Sequence, residues 1–320
     1  MRWHERDHKP VTISFNPTYL CNFRCEFCYL TPEQLADQKK LSPDRFKEMI
    51  GEIIKAGHLV DHVDIYGGEV ALLSDEYFKE IDQILEWNDN PSINVITNLS
   101  KIHPYFLKPH VSLSVSFDFE ARERHEQVLN NIAKTPKDIA ILMLASPKLM
   151  ALDVSKMIKT FNSLGNVISV EIKPYSANQA NVLGCTDKDF EEFVKKWLLS
   201  PIPKNFTFVN ADRIKNSLNK SYSAFSDAHV YITPNGKFGV LEFDDKDNEF
   251  FLEMDSFEEY LRWSEKEKAR VYSNAICSSC PYLGTCLTEH YRDVKSLDNS
   301  CNGFRHLLDW SQANQYLINN

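Results

Sequence analysis

Seven of the eight cysteines fall into two groups. Cys21, Cys25 and Cys28 form a C-x3-C-x2-C run flanked by Pro17 and Pro32. Cys277, Cys280, Cys286 and Cys301 form a looser set toward the C-terminus, and Cys185 stands alone. Grouped thiols in a reducing compartment read as metal or cluster ligands rather than disulfide partners. The number three is the informative feature of the first group. Iron–sulfur clusters are ordinarily held by four thiolates, so three would leave one iron open to bind a reactant. A structural zinc ion borrowing a distant fourth ligand is the alternative. The four late cysteines suit either zinc or a fully ligated iron–sulfur cluster.

The rest of the composition agrees with a reducing compartment. Of 320 residues, 43% are hydrophobic and 25% charged, an ordinary globular balance, and the length suggests about two domains. The net charge is −9 with no basic block, so no nucleic-acid partner is expected. The longest clean apolar run, residues 139–145, falls far short of the roughly 20 residues needed to cross a bilayer. Met1-Arg2-Trp3-His4-Glu5-Arg6 is too charged for a secretory signal. The expectation is a soluble, cytoplasmic protein with no membrane partner, whose acidic balance reflects a solvated surface.

Strand-like runs at residues 11–15, 60–66, 93–97, 111–117, 139–145 and 167–173 are separated by helical patterns. Ser42-Pro43 is a helix start, with Ser as N-cap and Pro in the first helical position. Phe46, Met49, Ile50, Ile53 and Ile54 then recur at helical spacing. Further helices are predicted over 75–87, near 120–132 and over 152–164. Six strands with intervening helices predict an α/β fold with a parallel, right-handed wound sheet. Polar and glycine motifs fall at the C-terminal ends of successive strands. That placement favours a partial (β/α)6 TIM-type barrel over an open doubly wound sheet, because such barrels build their sites there. After about Ser176 the pattern changes to helices over 187–199 and 211–218. A hairpin of 229–232 and 238–243 around Pro234-Asn235-Gly236 follows, then a charged amphipathic helix over 256–271. The expected division is a barrel over 1–180, a helical bridging segment over 181–228 and a small α+β domain over 229–320.

These residues resemble the radical S-adenosylmethionine (SAM) superfamily. Its signature loop follows the first strand and carries an aromatic residue just before the last cysteine, here Phe27. Gly67-Gly68-Glu69 after the second strand is similar to the family's GGE motif, and Thr97-Asn98 after the third to its TN motif. Ser116-Phe117-Asp118 after the fourth is similar to its S-x-D motif, and Lys173-Pro174 after the sixth is also family-like. Each minor motif alone could be a turn or a helix cap; their order at successive strand ends, across residues 11–175, makes the set specific. Val70 replaces the usual Pro after GGE, and Leu99 and Phe119 replace the usual glycines after the next two motifs.

The resemblance implies a [4Fe–4S] cluster on Cys21, Cys25 and Cys28 whose unligated iron chelates the amino and carboxylate groups of SAM. The GGE motif would receive the methionine amino group and Ser116 would lie near the ribose, with Phe27, Gly67, Gly68, Glu69, Asn98 and Asp118 in the cofactor-binding set. One electron from an external flavodoxin- or ferredoxin-type reductant would split the sulfonium. The 5′-deoxyadenosyl radical released would take a hydrogen atom from an unactivated C–H bond, the cofactor carrying the hard chemistry.

The late cysteines resemble the SPASM/twitch-like domain of sulfatase-maturase and peptide-modifying relatives, whose C-x2-C-x5-C-x3-C core is followed by a final Cys. Here the fourth core position is His290, and the hairpin position expected to hold a Cys is Leu241. The resemblance therefore implies one auxiliary [4Fe–4S] cluster on Cys277, Cys280, Cys286 and Cys301, giving two clusters in total. Its role would be to relay an electron or to brace the C-terminal domain; His290 reads as a surface or core histidine. Cys185 sits just after the sixth strand. An isolated Cys is ordinarily a small buried hydrophobe, and the sharper reading is a hydrogen-atom donor to a substrate radical, as in a peptide epimerase. Tyr175, Glu171 and Asp118 are candidate proton acceptors at strand ends.

The leading expectation is a radical SAM enzyme that oxidises, cross-links or epimerises a peptide or protein. A small-molecule dehydrogenase or decarboxylase is the alternative within enzymology, and a non-catalytic zinc-binding protein is the alternative outside it. With 20 residues ahead of Cys21, a fused leader-reading domain is not expected, so a peptide would need a separate recognition protein or a direct fit.

Overall fold

In a computed structural model, residues 9–175, 180–221, 229–241, 251–287, 301 and 304–315 are described. The six expected strands are present as β1 (Lys9–Phe15), β2 (His58–Ile65), β3 (Ser92–Thr97), β4 (Val111–Ser116), β5 (Ile139–Leu144) and β6 (Val167–Lys173). Four more extend them: β7 (Thr207–Phe208), β8 (His229–Ile232), β9 (Phe238–Leu241) and β10 (Phe251–Met254). All ten lie in one sheet, ordered β10-β9-β8-β1-β2-β3-β4-β5-β6-β7. Among the described residues, pairing is parallel from β8 through β1 to β7 and antiparallel at β8–β9–β10. Among the described residues the sheet is open, with β7 and β10 as its edges, and it continues across the division expected at residue 229.

The helices are α1 (Pro32–Ala36), α2 (Pro43–Lys55), α3 (Asp75–Trp87), α4 (His125–Lys134), α5 (Pro147–Met150) and α6 (Val154–Ser163). Beyond the barrel strands come α7 (Asp187–Leu198), α8 (Val209–Leu218), α9 (Phe257–Ser273), α10 (Ala275–Ser278) and α11 (Arg305–Ala313). Ser42 caps α2 as expected, its side chain accepting from Arg45 N, and Ser74 caps α3 through Tyr77 N. The helix expected near 120–132 is shorter. A 3-10 turn at Phe119–Ala121 precedes it, and Arg124, with φ 52°, delays the start of α4 to His125. Among the described residues, no helix is long and apolar enough to cross a membrane.

Period-two alternation gives the sheet two unlike faces. Val11, Ile13, Phe15, Val63, Ile65, Val95, Val115 and Ile141 are almost wholly buried against the helices; Phe15 stacks on Phe46 of α2 with ring centroids 4.2 Å apart. Each such side chain contributes roughly 1.5–3 kcal/mol by leaving water. The other face presents Ser14, Asp64, Tyr66, Ser116, Glu171, Lys173 and Tyr231 to one cavity. A closed barrel of this class fills its interior with branched apolar side chains; here the inner face mixes polar side chains with Ile96, Leu142 and Leu144, and it surrounds space rather than packing.

Candidate functional site

The cavity has a volume of about 740 Å3 and is walled by the C-terminal ends of the strands, the cysteine loop and parts of α7 and α8. The cysteine loop is fastened to the barrel by its backbone. Cys21 N donates to Leu35 O at 3.1 Å, Gly68 N to Thr18 O at 2.9 Å and Glu69 N to Leu20 O at 2.8 Å. The two glycines explain how the chains come so close. A Cβ on Gly67 would lie 2.4 Å from Thr18 O, and one on Gly68 would lie 2.2 Å from both Tyr19 O and Leu20 O. Phe23 and Phe27, 2% and 7% exposed, anchor the loop in the core.

Cys21, Cys25 and Cys28 all face the cavity, and all eight cysteines are free of disulfides. Cys21 Sγ accepts from Phe23 N at 3.4 Å and from Asn98 Nδ2 at 3.8 Å. Cys25 Sγ accepts from Arg122 Nη1 at 3.8 Å. Burial pushes the thiol of Cys21 up to about 11 and raises those of Cys25 and Cys28. Three soft donors in a buried, donor-rich wall fit a metal cluster, whose positive charge would reverse that tendency and hold them as thiolates. Among the described residues no three His, Cys, Asp or Glu side chains form a group that could hold a metal ion. The thiols share a wall rather than a single-ion shell.

Arg122 is the site residue that the sequence reading missed. It lines the cavity with its side chain 10% exposed, and its guanidinium lies 5.1 Å from the Phe27 ring. Asp118 holds it: Arg122 Nε donates to Asp118 Oδ2 at 2.9 Å and Nη2 lies 2.7 Å from the same oxygen. Asp118 Oδ1 accepts from Leu144 N at 2.5 Å. Asp118 is therefore fully buried behind the wall; burial raises its pKa against the opposing pull of Arg122. The signal available in the sequence was a carboxylate and an arginine four residues apart in a strand-end segment.

Glu69 is likewise fully buried and off the cavity wall. Its Oε1 accepts from Thr97 Oγ1 at 2.6 Å and from Ala71 N at 2.8 Å, and its Oε2 accepts from Asn98 N at 2.7 Å. Burial raises its pKa while these donors lower it. It thus ties the ends of β2 and β3 together and sets the backbone of Asn98. Asn98 reaches the wall, donating to Cys21 Sγ and, at 3.1 Å, to Asn22 Oδ1. Phe27, Gly67, Gly68 and Ser116 are also on the wall.

Cys185 also lines the cavity, with Sγ 3.6 Å from Ala145 O, and burial raises its pKa. The segment leading to it is fastened to the cysteine loop, because Asn181 Nδ2 donates to Cys28 O at 2.5 Å and Tyr175 OH bonds the Asn181 side chain. Glu171 is on the wall, with Oε1 3.0 Å from Lys173 Nζ and 2.8 Å from Arg213 Nη2. Cys277 is buried, and Cys280, Cys286 and Cys301 are half-buried. Burial pushes Cys277 up to about 11, and the charges of the other three act in the same direction. None of them lines the cavity. His290 lies outside the described residues, as does the side chain of Leu241.

Comparison of the sequence with those of curated proteins finds no match. Solved structures of similar fold include anSMEcpe with bound AdoMet and Cp18Cys peptide, with a TM-score of 0.70 and 14% identity over 97% of this chain and 98% of that one. SuiB of Streptococcus suis bound to S-adenosylmethionine gives a TM-score of 0.60 at 15% identity, over 87% of this chain and 72% of that one. SuiB bound to its precursor peptide SuiA gives 0.58 at 15% identity, over 87% and 71%. The Radical SAM superfamily profile matches residues 15–141. That stretch starts at the last residue of β1 and runs into β5, taking in the cysteine loop, the double glycine and Arg122, and over it the chain is similar to the Radical SAM superfamily.

Proposed function

We propose that the chain is a radical SAM enzyme that modifies a peptide or protein side chain. The observation that carries this reading is the set of three thiols on one wall of a cavity, beside the Arg122 guanidinium fixed by Asp118. When bound, a [4Fe–4S] cluster on Cys21, Cys25 and Cys28 supplies the electron for reductive cleavage of SAM to the 5′-deoxyadenosyl radical. The chain's own residues then have separable tasks. Arg122, held rigid by Asp118, offers its charge to the carboxylate of SAM. Ser116 on the wall is available to the ribose hydroxyls. Glu69 and Asp118 act from behind the wall, by positioning Asn98 and Arg122. Phe27 and Phe23 keep water from the thiols, which protects a reactive radical from side reactions.

The peptide reading is supported by two solved structures of similar fold that contain peptides. Cys185, on the cavity wall, is assigned as a hydrogen-atom donor to the substrate radical. Cys277, Cys280, Cys286 and Cys301 are assigned one auxiliary cluster outside the cavity, with an external flavodoxin- or ferredoxin-type protein as reductant. Protein purified without oxygen should be brown and carry about 8 Fe per chain, in keeping with two clusters; about 12 Fe, or stoichiometric zinc, would overturn the assignment. Co-expression with short candidate peptides, read by mass spectrometry, tests the substrate class. A mass change that is lost in Cys28→Ala supports it, and one that persists in Cys28→Ala counts against it.

A further inference from the structure

The polar inner face of the sheet contains a carboxylate that the proposed chemistry does not use. Asp64 lies on β2, paired in register with Ser14 of β1 and Asn94 of β3. Its side chain is 21% exposed and lines the cavity. One oxygen is committed: Oδ1 accepts from Asn94 Nδ2 at 2.7 Å and lies 3.3 Å from His62 Nε2. Oδ2 takes no hydrogen bond from any described residue. That oxygen is open to the cavity, where its charge is available to a cationic partner. Aromatic rings stand around it: Tyr66, just past the end of β2, makes an edge contact with Tyr231 at 6.4 Å, and Tyr231 stacks on His229 at 5.1 Å. All three rings line the cavity, and aromatic faces beside a carboxylate favour a cation. Lys173 and Arg213 stand on the β6 and α8 side, which directs a cation toward β2.

We propose that Asp64 anchors a cationic side chain of the substrate, lysine or arginine, at the floor of the cavity. This rests on the peptide reading above and deepens it by naming the feature of the peptide that is recognised.

His62 gives the site a pH dependence. Ser92 Oγ donates to Asp61 O at 3.2 Å, so it accepts from Nδ1–H of His62 at 2.6 Å, leaving Nε2 as the nitrogen that titrates against Asp64. The hydrogen bond to Asp64 raises His62 above its ordinary value. For Asp64, burial pushes upward, but the bonds from His62 and Asn94 and the charges of His62 and His229 leave it lowered. Asp61 and Asp64 on β2, His229 on β8 and Tyr66 are the titratable groups around the pair. Ser92 and Asn94 on β3 and Thr12 on β1 are uncharged neighbours. Protonated His62 neutralises Asp64, so a substrate cation and the His62 proton compete. Affinity rises as pH passes upward through the raised His62 midpoint, and binding within that window releases a proton.

The test is calorimetric titration of the full reconstituted chain with SAM and without reductant. The probes are Ac-Gly-Lys-Gly-NH2, its arginine counterpart and its norleucine counterpart. At least one cationic peptide should bind roughly 10-fold or more tightly than the norleucine peptide, with that preference lost in Asp64→Asn. Proton release, read in buffers of different ionisation enthalpy, should disappear in His62→Gln while the preference remains. Equal binding of norleucine, or a preference that survives Asp64→Asn, overturns the proposal. If Asp64→Asn fails to fold, the wild-type preference and the proton release of His62→Gln still decide it. Binding is read without turnover, so a chain that fails to cleave SAM leaves this test standing.

Discussion

Gly68→Ala probes the joint on which the cysteine loop depends. The new Cβ would lie 2.2 Å from both Tyr19 O and Leu20 O and 2.5 Å from Tyr19 C. All three are backbone atoms, so no side chain can swing away. If the loop keeps its place, overpacking costs about 1–3 kcal/mol. Loss of the Gly68–Thr18 and Glu69–Leu20 hydrogen bonds adds about 1 kcal/mol each, for a total of about 3–5 kcal/mol. If the loop yields instead, Cys21 moves with it and the cluster is lost. The assays are the urea midpoint and the iron content after anaerobic reconstitution, with far-UV circular dichroism as the check on folding. Gly51→Ala is the matched control: it lies inside α2 with nothing within 4 Å of the added atom. It should raise stability by about 0.5–1 kcal/mol. A Gly68→Ala protein with unchanged stability and full iron would refute the reasoning.

Three further outcomes follow from the buried polar groups. Glu69→Gln replaces an acceptor pair that takes three donors with a group whose NH2 must face one of them, so a loss of about 1–3 kcal/mol is expected in urea melts. Asp118→Asn strips the counter-charge from Arg122 and should cost about 3–5 kcal/mol, with a weaker grip on SAM measured by equilibrium dialysis. The stability supplied by the His62–Asp64 pair is fully present below the ordinary His value of about 6.5. It is lost as pH rises through the raised His62 midpoint, and at the acid end as pH falls through the lowered Asp64 one. The difference in urea midpoint between wild type and Asp64→Asn should shrink in step with both, and should be flat across the upper window in a His62→Gln background.

The six barrel strands and the cysteine loop were legible because their signals are local. Alternation marks a strand such as Val167–Lys173, and a Ser-Pro pair marks the start of α2. β7, of two residues, owes its existence to pairing with β6, and a window of that length carries no period. Gly67-Gly68 was visible as a motif, but its physical reason, the close approach of Thr18 and Leu20, lies some fifty residues away in sequence. The departures at Leu99 and Phe119 are informative in the same way. Both residues adopt left-handed backbone, with φ 50° and 49°, where glycine carries no penalty and other residues pay about 1–2 kcal/mol. Both are buried, at 0% and 8% exposure, so apolar burial offsets the strain. Arg122 escaped notice because nothing in the chain announces that a four-residue spacing from Asp118 would turn its guanidinium onto Cys25. The polar inner face escaped for a similar reason: Ser14, Asp64 and Asn94 become neighbours only through strand register.

The most direct test of the central claim is the fate of SAM in the anaerobically reconstituted and reduced protein, followed by chromatography. The account predicts 5′-deoxyadenosine and methionine in equal amounts, and none of either from Cys25→Ala. Absence of 5′-deoxyadenosine from the iron-loaded wild type, or undiminished formation by Cys25→Ala, would contradict it.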